Sequence, residues 1–186
     1  MNIFFLHYNG RIMALFHADA HVVKMPLEIA QMLSNAYHHY GAAHFPAKVY
    51  KKTHVHHPMS IFVCQNEHNF RLAAMNGLSI LQEYTRRFNK THKCEAVLRD
   101  MLQYPPDFSS TEPPVYSDAT VFGVFGDVQV PLCMPVEYHH TNACVAYSRY
   151  YVFKLETIPR LARWYRSTDH ALSAAVKMSA DAMCAS

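Results

Sequence analysis

Four side chains in the first helical stretch have the types and spacing for acid–base, amine or metal chemistry. Placed about 100° apart per residue on an α-helix, His17, His21, Lys24 and Glu28 fall within an arc of roughly 60°. Val22, Met25, Ile29 and Leu33 form the adjoining apolar face. The polar arc therefore borders the core side of the helix, where a cleft can open. Glu28 and Lys24 suit acid–base or amine chemistry, with His17 and His21 assisting. The same residues also read as an exposed helix edge, in which a Lys24–Glu28 pair contributes only about 0.2–0.5 kcal/mol.

A second group of histidines lies in Thr53-His54-Val55-His56-His57-Pro58. With His17 and His21, the residues His54, His56 and His57 make an alternative ligand set for a divalent metal, which points to a metal-dependent phosphohydrolase or nuclease. No Cys or carboxylate is spaced to complete such a site, and no HExxH is present, so the first reading has no metal and no cofactor. In that reading the segment caps the following helix, and His54 and His57 hold an anionic ligand.

A further polar line, Gln65, Asn69, Asn76, Glu83 and Arg87, runs along an otherwise apolar stretch. Buried polar groups need partners, since an unpaired one costs about 1–3 kcal/mol. Asn69, Asn76 and Glu83 are thus expected to form a structural network, and Glu83 could meet Lys24 or His21 across a polar slot. Beyond them Arg86, Arg87, Lys90, His92 and Lys93 form a basic cluster suited to a helix C-terminus or to phosphates. Arg149 stands among Tyr147, Tyr150 and Tyr151, which suits either backbone contact with base stacking or ordinary packing.

These residues must be positioned by helices. The 186 residues are 51% hydrophobic and 17% charged, which excludes disorder as the main state. The pattern predicts a short extended lead-in over 1–9, a helix over 11–40 kinked or split at Pro26, and a long central helix over 59–88. A short helix over 95–103, a small hairpin or extended loop over 121–130, and helices over 142–155 and 160–166 follow. The fold class is mainly α: one compact helical domain over 1–166 with little or no β, then an Ala/Ser-rich tail over 167–186 with no fixed place. No apolar run is long enough to span a bilayer, and no secretory leader is evident. Five Cys without CxxC spacing fit reduced thiols, so a cytoplasmic protein is expected. The formal charge of +3, rising as 14 His protonate, is compatible with a phosphate-bearing partner.

The run from His17 through Lys24-Met25-Pro26-Leu27-Glu28 to Gln31 resembles the opening of a family of small proteins from tailed-phage and related viral genomes. Similar runs are Thr53 to Pro58, Glu83 to Arg87, Thr91-His92-Lys93, Thr111 to Pro114, Met134-Pro135 and Tyr147 to Tyr151, so that the likeness covers about residues 1–166. The layout also resembles, more weakly, the pyrimidine-dimer DNA glycosylases of the phage endonuclease V type. That likeness implies a nucleophilic N-terminal amine, here on Met1, and a first-helix glutamate. Asn2 is bulky, so Met1 is expected to be retained; Lys24 stands at the family glutamate's spacing, with Glu28 the nearest carboxylate. The expected function is a DNA-binding glycosylase or abasic-site lyase acting at a slot between the first and the long helix. The metal-dependent reading, and a non-catalytic viral binding or structural role with a protein partner, stand as alternatives.

Overall fold

A computed structural model describes residues 1–163 of the chain. The described part is mainly α, with six helices and one two-stranded sheet. The elements are α1 (Gly10–Phe16), α2 (Asp19–Tyr40), α3 (Pro58–Val63), α4 (Glu67–Phe88), α5 (Glu95–Gln103), β1 (Phe122–Phe125), β2 (Val128–Pro131) and α6 (Ala143–Thr157), with short 3₁₀ turns at Val136–Tyr138 and Pro159–Leu161. The tail expected over 167–186 lies outside the described residues, as do residues 164–166 of a helix expected over 160–166, whose described part is the 3₁₀ turn and two irregular residues.

The lead-in before α1 is core. Ile3, Phe4, Phe5 and Leu6 are all buried, which explains four consecutive apolar residues: each direction the chain presents meets protein. Phe5 lies against Phe62 of α3, Phe125 of β1 and Tyr147 of α6. One short segment thereby ties these three elements together.

The helix expected over 11–40 is two helices, and the break falls at His17–Ala18 rather than at Pro26, which lies inside α2. Both break residues are extended, and neither supplies a side-chain cap to α2. The freed backbone groups find partners from distant elements. Arg87 of α4 donates to Leu15 O at 3.0 Å and to His17 O at 2.7 Å. The Ala18 N–H donates to the Tyr151 hydroxyl of α6 at 2.9 Å. Arg87 also bonds Asp19 Oδ1 at 2.9 Å and Glu83 Oε1 at 2.5 Å. Backbone groups left over at helix ends must be satisfied somewhere, and here a buried guanidinium does it.

The helix expected over 59–88 is also two. The chain turns at Cys64–Asn66, where Asn66 is extended and its side chain accepts from Asn69 N–H at 2.8 Å, an N-cap for α4. Carbonyls freed at the end of α3 are taken by side chains: Asn69 Nδ2 donates to Phe62 O, and the Tyr40 hydroxyl donates to Cys64 O. Asn89 closes α4 in the left-handed region, with φ of 50°.

α4 packs against α1, α2, α3 and α5. Gly77 permits a close approach of three helices: a Cβ there would lie 2.9 Å from Leu98 of α5 and 3.3 Å from Ile29 of α2. α4 thus meets α2 through an apolar contact at this level. The expected pairing of Glu83 with Lys24 or His21 does not form; Glu83 binds Arg86 and Arg87 within its own helix. Helix α5 and the hairpin appear as anticipated, β1 pairing antiparallel with β2 through a two-residue turn in which Gly126 takes a φ of +62°.

Burial alone would raise the Glu83 carboxyl, but bonds and charge from Arg86 and Arg87 outweigh it and hold it below the usual carboxylate range. Arg87→Met should therefore destabilise the fold by about 3–5 kcal/mol, because it removes the donor to the Leu15 and His17 carbonyls and leaves the buried Glu83 carboxylate with Arg86 as its remaining cation. Urea unfolding measures this, and Arg87→Lys should not restore stability, since an ammonium lacks the planar fork. A loss below about 1 kcal/mol in Arg87→Met would contradict the clamp.

Candidate functional site

The polar arc of α2 opens into a cavity of about 190 Å³. Its walls come from α2, α6, the chain's first residues and, through Cys133, the segment after β2. His21, Lys24 and Glu28 come from α2, Tyr150 and Lys154 from α6, and Met1 and Asn2 from the chain's first residues. No α4 residue is among the described lining residues, so the expected location between the first and the long helix is corrected: the cavity lies between α2, α6, the N-terminal segment and the segment after β2.

Asn2 sets the position of Met1. Its Nδ2 donates to Cys133 O at 3.0 Å, and its Oδ1 accepts from Ile3 N–H at 2.9 Å and lies 3.3 Å from the Tyr147 hydroxyl. With Ile3 to Leu6 buried behind it, the amino terminus has little freedom to leave the cavity. Glu28 is largely shielded, its side chain 13% exposed, while Lys24, 62% exposed, reaches it across 2.8 Å. His57 stands within electrostatic reach of both Met1 and Glu28. Its pKa is lowered chiefly by burial and then by the charges of the amino terminus and His54, with Glu28 pulling the other way. Its Nδ1 accepts from Met59 N–H at 3.2 Å as the cap of α3, which leaves the ring proton on Nε2.

Both arc histidines are held neutral. His21 Nδ1 lies 2.7 Å from the Tyr151 hydroxyl, which already accepts from Ala18 N–H and so has its proton to give to the ring. Burial, with Lys154 and Lys24 nearby, lowers the His21 pKa to about 4. Burial likewise pushes the Tyr151 phenol well above its ordinary value, so it keeps that proton. His17 does not line the cavity. It is wholly buried, its Nδ1 2.8 Å from Met13 O, and burial brings its pKa to about 3. A carbonyl can only accept, so the proton sits on Nδ1, and Nε2 is left without a partner. His17 is corrected from an assisting group to a wall behind one: its ring meets Phe4 and Tyr151 edgewise, and Phe4 in turn packs on His21.

The Cys133 thiol also lines the cavity. Burial pushes it up to about 11, despite lowering contributions from Tyr147, Met59 and the amino terminus. A thiol so raised is protonated at neutral pH and makes a poor nucleophile.

The expected phosphate-binding residues divide among several places. Arg87 is corrected outright: its side chain is 1% exposed and its donors serve the α1–α2 corner. Arg86 is outward but bidentate to Glu83. Lys90, His92 and Lys93 line a separate cavity beside α2. His54 and Arg149 are exposed, His54 with a φ of 46°. Of the expected structural network, Asn69 and Glu83 have the partners described above, whereas the buried Asn76 Nδ2 has none.

Among the described residues, no group of three or more His, Cys, Asp or Glu is placed to hold a metal ion. His17, His21, His54, His56 and His57 therefore do not converge as a ligand set, and His56 lies in another cavity with His38, His39 and Lys52. Among the described residues no helix is long and apolar enough to cross a membrane.

Asn2, Cys133, Tyr150 and Lys154 were not anticipated at the site. The only signal in the chain is the i,i+4 spacing of Tyr150 and Lys154, where the ammonium lies 5.3 Å from the ring centroid. Comparison with protein families, with curated proteins and with solved structures returned no match.

The neutral histidines fix a pH dependence. An unfolded histidine gains its proton near pH ~6.5, whereas His17 and His21 resist it until about 3 and 4. Between these limits the unfolded chain binds more protons, so stability should fall as pH falls from about 6.5 to 4. His17→Leu should show a shallower loss of urea midpoint over that range than the parent protein. Parallel slopes would contradict the assignment.

Proposed function

We propose that the protein is a DNA-processing enzyme of the glycosylase or abasic-site lyase kind, working in the cytoplasm, in the host cell if the chain is viral. The reading takes residues 1–166 as one helical domain organised on α4. The observation that carries it is the convergence of Met1, His21, Lys24 and Glu28 on one cavity, with Lys154 at its wall. Amine, shielded carboxylate and flanking cations are the groups that imine chemistry on a phosphodiester strand requires.

In this reading the neutral α-amine of Met1 attacks C1′ of the sugar. At an abasic site the C1′ aldehyde loses its oxygen as water and a protonated imine forms. At a damaged nucleotide the base departs instead, taking up a proton, and the C1′–O4′ bond then opens, O4′ taking a proton, to give the same protonated imine. Glu28 stabilises the cationic C1′ and then removes a proton from C2′. The electron pair moves toward C3′, the C3′–O bond breaks, and the 3′-phosphate leaves with the strand. Water hydrolyses the imine and restores the amine. Lys24 is less suited as the nucleophile, because an ammonium engaged with Glu28 at 2.8 Å has no lone pair to offer. Lys24 and Lys154 would instead face the phosphates that flank the sugar. A volume of about 190 Å³ suits a sugar-sized group and is below the range of roughly 300–1,000 Å³ of pockets that enclose drug-sized ligands.

Borohydride reduction in the presence of a duplex with one abasic site should yield a covalent protein–DNA species, unaffected by chelator. Glu28→Gln should lower strand cleavage by at least about 10²-fold. Its urea midpoint should barely move, since the lost pair is worth only about 0.2–0.5 kcal/mol. No covalent species with or without chelator would remove the imine reading. Normal cleavage by Glu28→Gln would remove that residue's role.

A further inference from the structure

A second and larger cavity, of about 720 Å³, opens on the adjacent face of α2. Val23, Leu27 and Gln31 form its α2 wall, one helical row round from Lys24 and Glu28. Three ammonium groups, Lys48, Lys90 and Lys93, reach it from two different loops, and all three residues are exposed. None of its described lining residues is acidic. Two rings, Tyr50 and Tyr84, line it as well, with the Lys48 ammonium 4.6 Å from the Tyr50 centroid. Val23 and Leu27 leave 46% and 38% of their surface open, a large apolar exposure for a helix whose neighbouring positions are core.

The loop carrying the cations is held in place. His92 Nε2 lies 3.0 Å from Val23 O, its Nδ1 accepts from Cys94 N–H at 3.1 Å, and its ring meets Tyr84 edgewise at 4.9 Å. The Tyr50 hydroxyl lies 3.5 Å from Cys94 Sγ. Lys90 and Lys93 therefore extend from a loop anchored on α2, and Lys48 approaches from the segment after α2. A solvated charged face needs neither the rings nor the open apolar floor, and an apolar docking patch would not gather three lysines.

Cations that meet phosphate, rings that accept a base face and a volume within the usual ligand range together describe one ligand chemistry, the nucleotide. We propose that this cavity binds an unpaired nucleotide of a nucleic-acid strand, flanking the nucleotide presented to the Glu28 cavity. The proposal rests on the nucleic-acid reading above for its choice of a strand. Lys24 lies on the ridge of α2 between the two cavities, exposed enough to meet the phosphate that passes from one to the other.

The test uses the full chain and a triple variant, Lys48→Ala/Lys90→Ala/Lys93→Ala, at exposed positions outside the reactive cavity. Anisotropy with a labelled oligothymidylate should show at least a tenfold loss of affinity. The slope of log affinity against log salt should become shallower by about 2, since each phosphate contact on a single strand contributes about 0.7. A base-free oligomer of tetrahydrofuran phosphate, which has no aldehyde for the amine, should bind the parent at least fivefold more weakly than oligothymidylate, and deoxyadenosine monophosphate should compete only at far higher concentration.

Unchanged affinity and slope in the variant would overturn the site. Equal binding of the base-free oligomer would overturn the base-binding part, and strong competition by the mononucleotide would overturn the strand as occupant. Borohydride trapping run in parallel keeps the two readings apart. Trapping by both proteins with unchanged affinity sinks the second cavity alone. Lost affinity in the variant, with no trapping by either protein, sinks the imine chemistry alone.

Discussion

The buried ion pair between Arg87 and Glu83 is the interaction on which the arrangement depends. Taking both charges out of water is costly, and an ion pair alone seldom offsets that cost. The guanidinium compensates by bonding Leu15 O, His17 O and Asp19 as well as Glu83. Those partners sit on both sides of the α1–α2 break. The charge is thus satisfied only when α2 starts at Asp19 and leaves α1 at that corner. The rotational setting of α2 follows, and with it the direction in which His21, Lys24 and Glu28 face.

A second constraint comes from the N-terminal segment. Phe4 meets His17, His21, Tyr147 and Tyr151, so one ring joins α2 to α6 behind the cavity. Burial in this aromatic surround makes the two histidines neutral, and Tyr151 couples the His21 ring to the Ala18 backbone. Histidines that suggest metal or phosphate binding by their number act here as uncharged packing and hydrogen-bonding groups. The charges that remain at the cavity are those of Lys24, Lys154, Glu28 and the amino terminus.

Part of this was legible in the chain. The arc of His21, Lys24 and Glu28 follows from helical spacing alone, and so does the apolar face beside it. The proline-flanked α5 and the hairpin with Gly126 carry their own local signals. The helix breaks were harder for different reasons. Asn66 before Glu67 is a recognisable cap signal, outweighed by a long apolar run. The break at His17 has no local cause, because its partners, Arg87 and Tyr151, lie far along the chain. The same holds for the cavity wall: Lys154, Tyr150 and Cys133 reach it through tertiary packing, which periodicity cannot show. Arg87 belongs by its spacing both to the polar line with Glu83 and to the basic cluster with Lys90 and Lys93, and its burial decides for the first.

Packing of the first residues into the core places Met1 in the same cavity as Glu28, and the proposed amine chemistry rests on that placement. Peptide mapping of the borohydride-reduced protein–DNA adduct by mass spectrometry tests it most directly. The account predicts the sugar remnant on the α-nitrogen of Met1, with Lys24 unmodified. An adduct on Lys24, or on a lysine remote from the cavity, would contradict it.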